Sequence, residues 1–249
     1  MFTEIFFLVF FTCCESFAAN LPPEIQKCKL GTPDFEECMK KSIDFAGHFF
    51  KNGSAEFGLP RIDPFFVDKM EIQGDPSKSV RLNQKFENVA LTGLLDSKIK
   101  YFKYIPDEGK CVWELDVFTP ATHMIADFEM TGQILLFPIN GHGKCTVDLF
   151  NVTNEHRAQC EHYSKKGKTF LRLKNYSMKM HVGNCRFVFP NLMPGNEQIS
   201  KEIQKVIDEN SLEIFNDVKS GFEKLLSSLH ERASNGMFSR VPEDELFLM

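Results

Sequence analysis

The chain has 249 residues, 43% of them hydrophobic and 25% charged, with a net charge of −5 at pH 7. This is ordinary globular composition, and mild acidity without a dense basic run argues against nucleic acid as a partner. Twenty-six phenylalanines and ten methionines, against four tyrosines and one tryptophan, supply apolar surface with few hydrogen-bonding atoms. Such a set suits a Phe-rich core or a lined apolar cavity.

Residues 1–18 read as a secretory signal. Ile5–Cys14 is an apolar stretch of about ten residues, too short to span a bilayer comfortably. Ser16 and Ala18 are the small residues at −3 and −1 of a cleavage site before Ala19, although Glu4 stands where a basic residue is usual. No other segment is apolar enough for a membrane anchor, so a secreted single domain over 19–249 without a transmembrane segment is expected. Cleavage removes Cys13 and Cys14 and leaves Cys28, Cys38, Cys111, Cys145, Cys160 and Cys185, an even number that suggests disulfides. Three sequons, at Asn52, Asn151 and Asn175, fit glycosylation in the same compartment.

Thr32-Pro33 is a cap and first-turn pair that predicts a helix over Pro33–Lys51. Its apolar face holds Phe35, Cys38, Met39, Ser42, Ile43, Ala46, Phe49 and Phe50. A Cys28–Cys38 bridge would tie the incoming chain to its first turn. The prolines of Phe57–Phe65 favour an extended or turning segment. A long β region follows, about Val67–Leu192, with alternation at Val80–Phe86, Ile99–Tyr101, Cys111–Val117 and Met124–Met130. Thr131-Gly132 reads as a hairpin turn, Asn140–Gly143 as a bulge or kink, and Lys165–Lys168 as the turn between Lys144–Ser164 and Thr169–Val182.

Asn196–Met237 carries apolar residues in steps of three and four, from Ile199 to Leu229, which predicts one amphipathic helix about 45 Å long. Asn196 is its cap, Asn235-Gly236 its stop, and Gly221 marks a bend or a close approach. A helix so long and one-sided needs a long apolar partner. Its seam drifts at Asn210 and Ser211 without a sustained heptad, which disfavours a coiled coil and leaves a membrane surface or a wrapping sheet. The tail from Phe238 sets acidic residues between apolar ones and is expected to pack back on the body. The class is α+β and antiparallel.

No nucleophile elbow, phosphate loop, dinucleotide fingerprint, zincin motif or Cys-x-x-Cys occurs. His156, Cys160 and His162 share one face of a strand, yet an exposed polar strand with a disulfide cysteine explains them better than zinc. The chain is read as a non-enzyme with no cofactor and no metal.

In order along the chain come Cys28…Cys38, Gly58–Pro64 (GLPRIDP), Phe86–Gly93 (FENVALTG), Pro138–Gly143 (PINGHG), Gly167–Leu171 (GKTFL), Asn191–Asn196 (NLMPGN), Asp208–Asn210 (DEN) and Phe238–Phe247 (FSRVPEDELF). This succession resembles the takeout and juvenile-hormone-binding family of secreted insect carriers, over nearly the whole mature chain. The resemblance implies a tubular fold, a long C-terminal helix wrapped by a curved antiparallel β-sheet around an apolar tunnel. It also implies an extracellular carrier of a small hydrophobic ligand, whether terpenoid, fatty acid or other lipid. Takeout-like members generally need only the N-terminal disulfide, so the other four cysteines are additional. Hormone binders pair a strand cysteine with one in the C-terminal helix, and this helix has none, which counts against juvenile hormone itself.

Four cysteines allow three connectivities. A hairpin turning at Lys165–Lys168 sets Cys145 nearly opposite Cys185, give or take a bulge, and leaves Cys111 for Cys160. By alternation the ligand contacts are expected among Trp113, Leu115, Val117, Met124, Phe128, Met178 and Met180 of the strands. The helix adds Ile203, Ile207, Ile214, Phe215, Val218 and Phe222. Core and tunnel want the same side chains, so this set mixes the two. The expected protein is a monomeric carrier that a receptor or carrier protein could contact. The alternative is an extracellular regulatory or defence protein that binds a protein partner or a lipid surface and transports nothing.

Overall fold

The computed structural model describes residues 18–107 and 110–248. The signal reading, with Cys13 and Cys14, lies outside the described residues but for Ala18. In chain order the elements are β1 (Cys28–Lys29), α1 (Phe35–Phe49), β2 (Phe65–Ile72), β3 (Val80–Thr92), β4 (Lys98–Asp107), β5 (Lys110–Ile134), β6 (Phe137–Lys165) and β7 (Lys168–Val188). Then come α2 (Glu197–Glu209), α3 (Ser211–Phe238), α4 (Glu243–Leu246) and β8 (Phe247–Leu248). The large sheet is antiparallel in the order β2-β3-β5-β6-β7, with β4 paired to the first half of β5. At Pro120, which has no N–H to give, β5 leaves β4 and takes up β3.

Three long strands carry the fold, and all three reverse their inward parity along a common line, β7 doing so a second time at Asn175. β5 and β6 pair in one unbroken register, which places Asn151 beside Pro120, while the β6–β7 register brings Gly183 beside Asn151. Asn151 adopts φ 53°, a left-handed conformation that asparagine tolerates, and a Cβ on Gly183 would lie 2.9 Å from its Cβ. Inward residues run Cys111 to Thr119 and then Thr122 to Met130 on β5, and Cys145 then Val152 to Cys160 on β6. On β7 they change from Met178 and Met180 to Cys185 and Phe187. The crease lets long strands curl while keeping one face apolar.

Two details of the strands correct the sequence reading. The β5–β6 hairpin turns at Leu135-Leu136, beyond Thr131-Gly132. Gly132 lies inside the strand because β3 comes so close that a Cβ there would sit 2.0 Å from the Arg81 carbonyl oxygen. The β5–β6 register is likewise unbroken at Asn140–Gly143, where Gly141 makes room for the backbone of Asn191-Leu192. The Lys165–Lys168 turn stands as expected, with Lys166 and Gly167 at positive φ.

The C-terminal helix is two helices. Asn196 caps α2 by accepting from the Ile199 N–H, and α2 ends at Asn210, where the apolar seam drifts; α3 starts at once. α3 runs through Asn235-Gly236 to Phe238, because Gly236 packs on the Gly58 carbonyl, 2.7 Å from where its Cβ would be. α3 also supplies what the edge strand β7 lacks. Glu223 accepts from the Met180 N–H at 2.9 Å, Ser227 from Met178 at 2.9 Å, Glu231 from Tyr176 at 3.1 Å and Asn235 from Leu173 at 2.8 Å. Four helical residues rise about 6 Å and two strand residues about 6.6 Å, so the two repeats stay in step.

α1 covers β4, with Phe35, Met39 and Ser42 buried, whereas Phe49, expected on the packed face, is 44% exposed. The Phe35 ring meets Phe102, Tyr104 and Phe247 edge-on. The tail returns as α4 and β8, and Phe247-Leu248 pairs in parallel with Cys28-Lys29.

Candidate functional site

Between the curled sheet and α3 lies a cavity of about 530 Å³. It runs from Ile25, Met39 and Phe247 at the α1 end to Phe189, Ile207 and Ile214 at the α2 end. Ten of the expected contacts meet on its wall. Trp113, Leu115, Met124, Met178 and Met180 come from the sheet, and Ile207, Ile214, Phe215, Val218 and Phe222 from the helices. Three do not. Phe128 is 3% exposed and packs against the Phe189 ring at 5.1 Å and against Gly143; Ile203 is fully buried under α2. Val117 sits half-buried opposite Ile99 and Asn154, just before the strand changes partner. All three are packing residues, which share their chemistry with the lining.

Alternation alone missed the polar part of the wall. Gln84, Thr122, Asn154, Tyr176 and His230 line the cavity, and the Nε2 of Gln84 and the Oδ1 of Asn154 have no hydrogen-bond partner. His156 is 3% exposed on the strand face of Asn154. Its Nδ1 lies 2.9 Å from the Tyr176 hydroxyl, and its ring stacks on His230 with centroids 5.0 Å apart. Tyr176 reaches inward because Asn175, at φ 53°, bulges β7 between Ser177 and Lys174. His230 is exposed by its accessible surface and lines the cavity, yet the protein packed around its ring desolvates the imidazole. Burial, with a smaller contribution from the neighbouring His230, holds His156 down to about 3; burial holds His230 to about 4. It pushes the Tyr176 phenol above its usual range. Asn154, His156, Tyr176 and His230 form a belt between two apolar clusters, one around Phe86, Met130 and Phe187 and one around Phe102, Leu173 and Phe247; Gln84, between Leu82 and Phe86, lies within the first.

The cysteines divide as pairs and free thiols. Cys28–Cys38 and Cys111–Cys160 are disulfides, the second joining directly opposed residues of β5 and β6. Cys145 and Cys185 are not bridged: the register puts Leu149 opposite Cys185, four residues from Cys145. The bulge at Asn175 shifts the register by one residue, from Asp148 to Leu149 opposite Cys185, which widens that gap. Both thiols are buried, and burial pushes Cys145 up to about 12. The His156–Cys160–His162 face gathers no metal donors: Cys160 is disulfide-bonded, and His162 lies 3.0 Å from Glu243. Asn52, Asn151 and Asn175 are all exposed.

The model of the haemolymph juvenile hormone binding protein family matches residues 6–248. The chain belongs to this family. It is 22% identical to the circadian clock-controlled protein daywake of Drosophila melanogaster over 243 residues, 95% of this chain and 92% of that protein. The daywake of Drosophila yakuba is equally similar, at 22% over 235 residues. The crystal structure of Epiphyas postvittana Takeout 1 superposes with a TM-score of 0.78 at 20% identity, covering 90% of this chain and all of that one. The two share one fold, a helix packed along a curled antiparallel sheet. Among the described residues no helix is long and apolar enough to cross a membrane.

Proposed function

We propose that this family member is a secreted, monomeric carrier that holds one small hydrophobic ligand between the sheet and α3. The observation that carries the reading is the cavity itself, about 530 Å³ and lined chiefly by Phe, Met, Leu, Ile and Val side chains. That is within the range of sites that enclose most of a small ligand. A lipid chain burying about 400 Å² of apolar surface gains roughly 10 kcal/mol at about 25 cal/mol/Å². Association and ordering take back several of these, which leaves micromolar to sub-micromolar affinity. Two disulfides and three exposed sequon asparagines, Asn52, Asn151 and Asn175, support an extracellular, glycosylated protein. Binding and release need no bond making, so the reading requires no catalytic group.

Native mass spectrometry of the secreted protein, followed by organic extraction, tests this. A stoichiometric hydrophobic molecule released on denaturation is the expected result. A protein that arrives empty, and displaces no fluorescent fatty-acid probe, would overturn the carrier reading in favour of one that binds a protein or a lipid surface.

A further inference from the structure

A wall built only for hydrocarbon has no use for the belt, because each buried polar atom without a partner costs about 1–3 kcal/mol. Asn154 and His156 are two residues apart on one strand face, so their Cα atoms are about 7 Å apart. His156 in turn touches both Tyr176 and His230, and Asn154, Tyr176 and His230 line the same cavity. The four residues thus form one polar level between two apolar ends.

The hydrogen bonding of this level has a definite sense. His230 Nδ1 lies 3.1 Å from the Leu226 carbonyl oxygen, which can only accept, so Nδ1 carries the proton and Nε2 is left as an acceptor. The Asn154 amide has unmet capacity, since its Oδ1 has no partner. Among the described residues, His230 is the only Asp, Glu, Lys, Arg or His on the wall. Desolvation keeps both imidazoles neutral at physiological pH, so the level offers no positive charge.

We propose that this belt recognises a hydroxyl group, and that the preferred occupant is a neutral, hydroxyl-bearing lipid rather than a carboxylate or a plain hydrocarbon. The proposal rests on the carrier reading and names its ligand class. A hydroxyl donates to Nε2 of His230 and exchanges a second hydrogen bond with the Asn154 amide. An ionised carboxylate only accepts, so it meets the lone pair of Nε2 and is desolvated without a cation. A hydrocarbon leaves both groups unpaired. His156 and Tyr176 are positioning residues that hold the His230 ring.

The test is displacement of N-phenyl-1-naphthylamine from the folded, disulfide-bonded protein by 1-tetradecanol, its methyl ether and myristate. The wild type is expected to bind the alcohol about tenfold more tightly than the ether or myristate, the worth of about one buried hydrogen bond. Asn154→Leu and His230→Leu each bring alcohol and ether within about twofold, chiefly by weakening the alcohol. His230→Gln, which keeps a neutral hydrogen-bonding end, retains most of the preference and guards against a folding artefact. Equal binding of alcohol and ether by the wild type overturns the proposal, as does tightest binding of myristate or a parallel loss of all three in the variants. If neither the probe nor any of the three binds, the carrier reading itself fails, and this one with it.

Discussion

Along the β7 edge, α3 offers Glu223, Ser227, Glu231 and Asn235 in turn to backbone N–H groups, whereas at the β2–β3 edge it makes one such bond, Asp217 to Val80 at 3.1 Å. Beyond a 3.8 Å ion pair from Asp217 to Lys78, that second contact is mainly apolar, with Gly221 against Ile72 and the Phe222 ring 6.1 Å from Phe86. A sheet curled this far but not closed has two edges with unpaired N–H and C=O groups. The first edge is satisfied by a helical repeat of four that keeps step with a strand repeat of two. The second is covered mainly by shape. The polar seam fixes the helix in register along β7, and the apolar one only requires that the helix come close. The third strip of α3, with Phe215, Val218 and Phe222, is thereby aimed into the cavity.

Glu223→Leu should have the largest effect on this contrast. It strips the acceptor from the buried Met180 N–H and should cost about 3 kcal/mol in urea unfolding, nearly all from that unpaired donor. The partner Lys179 is mostly exposed, so loss of the ion pair itself adds little.

Next comes a pH effect at His156, in the polar belt beneath that seam. The folded-state pKa of His156 is lowered by burial to about 3, against about 6.5 unfolded, so the unfolded chain takes up a proton that the folded chain refuses. Stability is therefore lost as pH falls through about 6.5, by about 2 kcal/mol at pH 5, and the loss continues to about pH 3. His230 acts in the same direction. Urea melts at pH 7.5, 6 and 5 should show this slope, and His156→Phe should remove about half of it, the rest being due to His230, even if its stability at pH 7.5 differs.

Ser227→Ala leaves the Met178 N–H unpaired without burying a charge, for about 1 kcal/mol. Hydrogen exchange should report it as faster exchange at Met178, with β2 unaffected.

Gly221→Ala probes the other seam and should be the smallest effect. Alanine gains about 1 kcal/mol of helix propensity, but its Cβ would sit 2.3 Å from Cγ2 of the stiff, buried Ile72. The expected net is a loss below about 1 kcal/mol. Combined with Ile72→Ala, the cost should be less than the sum of the two single changes, whereas the Glu223 and Gly221 changes should add.

The contrast between seams also marks how far residues alone could be read. Asn196 as a cap, the Cys28–Cys38 bridge and the alternation of β3, β5 and β6 are local, written in spacings of two, three and four. The break at Asn210 was visible only as a drift of the seam. Gly236 looked like a stop and is a contact with Gly58, and Thr131-Gly132 looked like a turn and is a close strand crossing. In each case a glycine signals missing bulk, and only its neighbour shows why. The polar belt was misread for a related reason. His156 drew attention as a possible ligand beside Cys160, while its actual partners, Tyr176 and His230, come from another strand and a helix.

The sequence by itself determined which segments are helical and which extended, the inward side of a strand only as far as the crease, and membership of the family, because periodicity and motif order are properties of the chain alone. Tertiary structure decided the rest. It closed one disulfide at Cys111–Cys160 and left Cys145 and Cys185 as thiols, and it separated Val117, Phe128 and Ile203 from the cavity wall. It also gathered Asn154, His156, Tyr176 and His230 at one level. Those outcomes depend on register and on the crease through Pro120, Asn151 and Gly183. A one-residue shift in a strand reverses every side chain beyond it, and no local spacing records where such shifts fall.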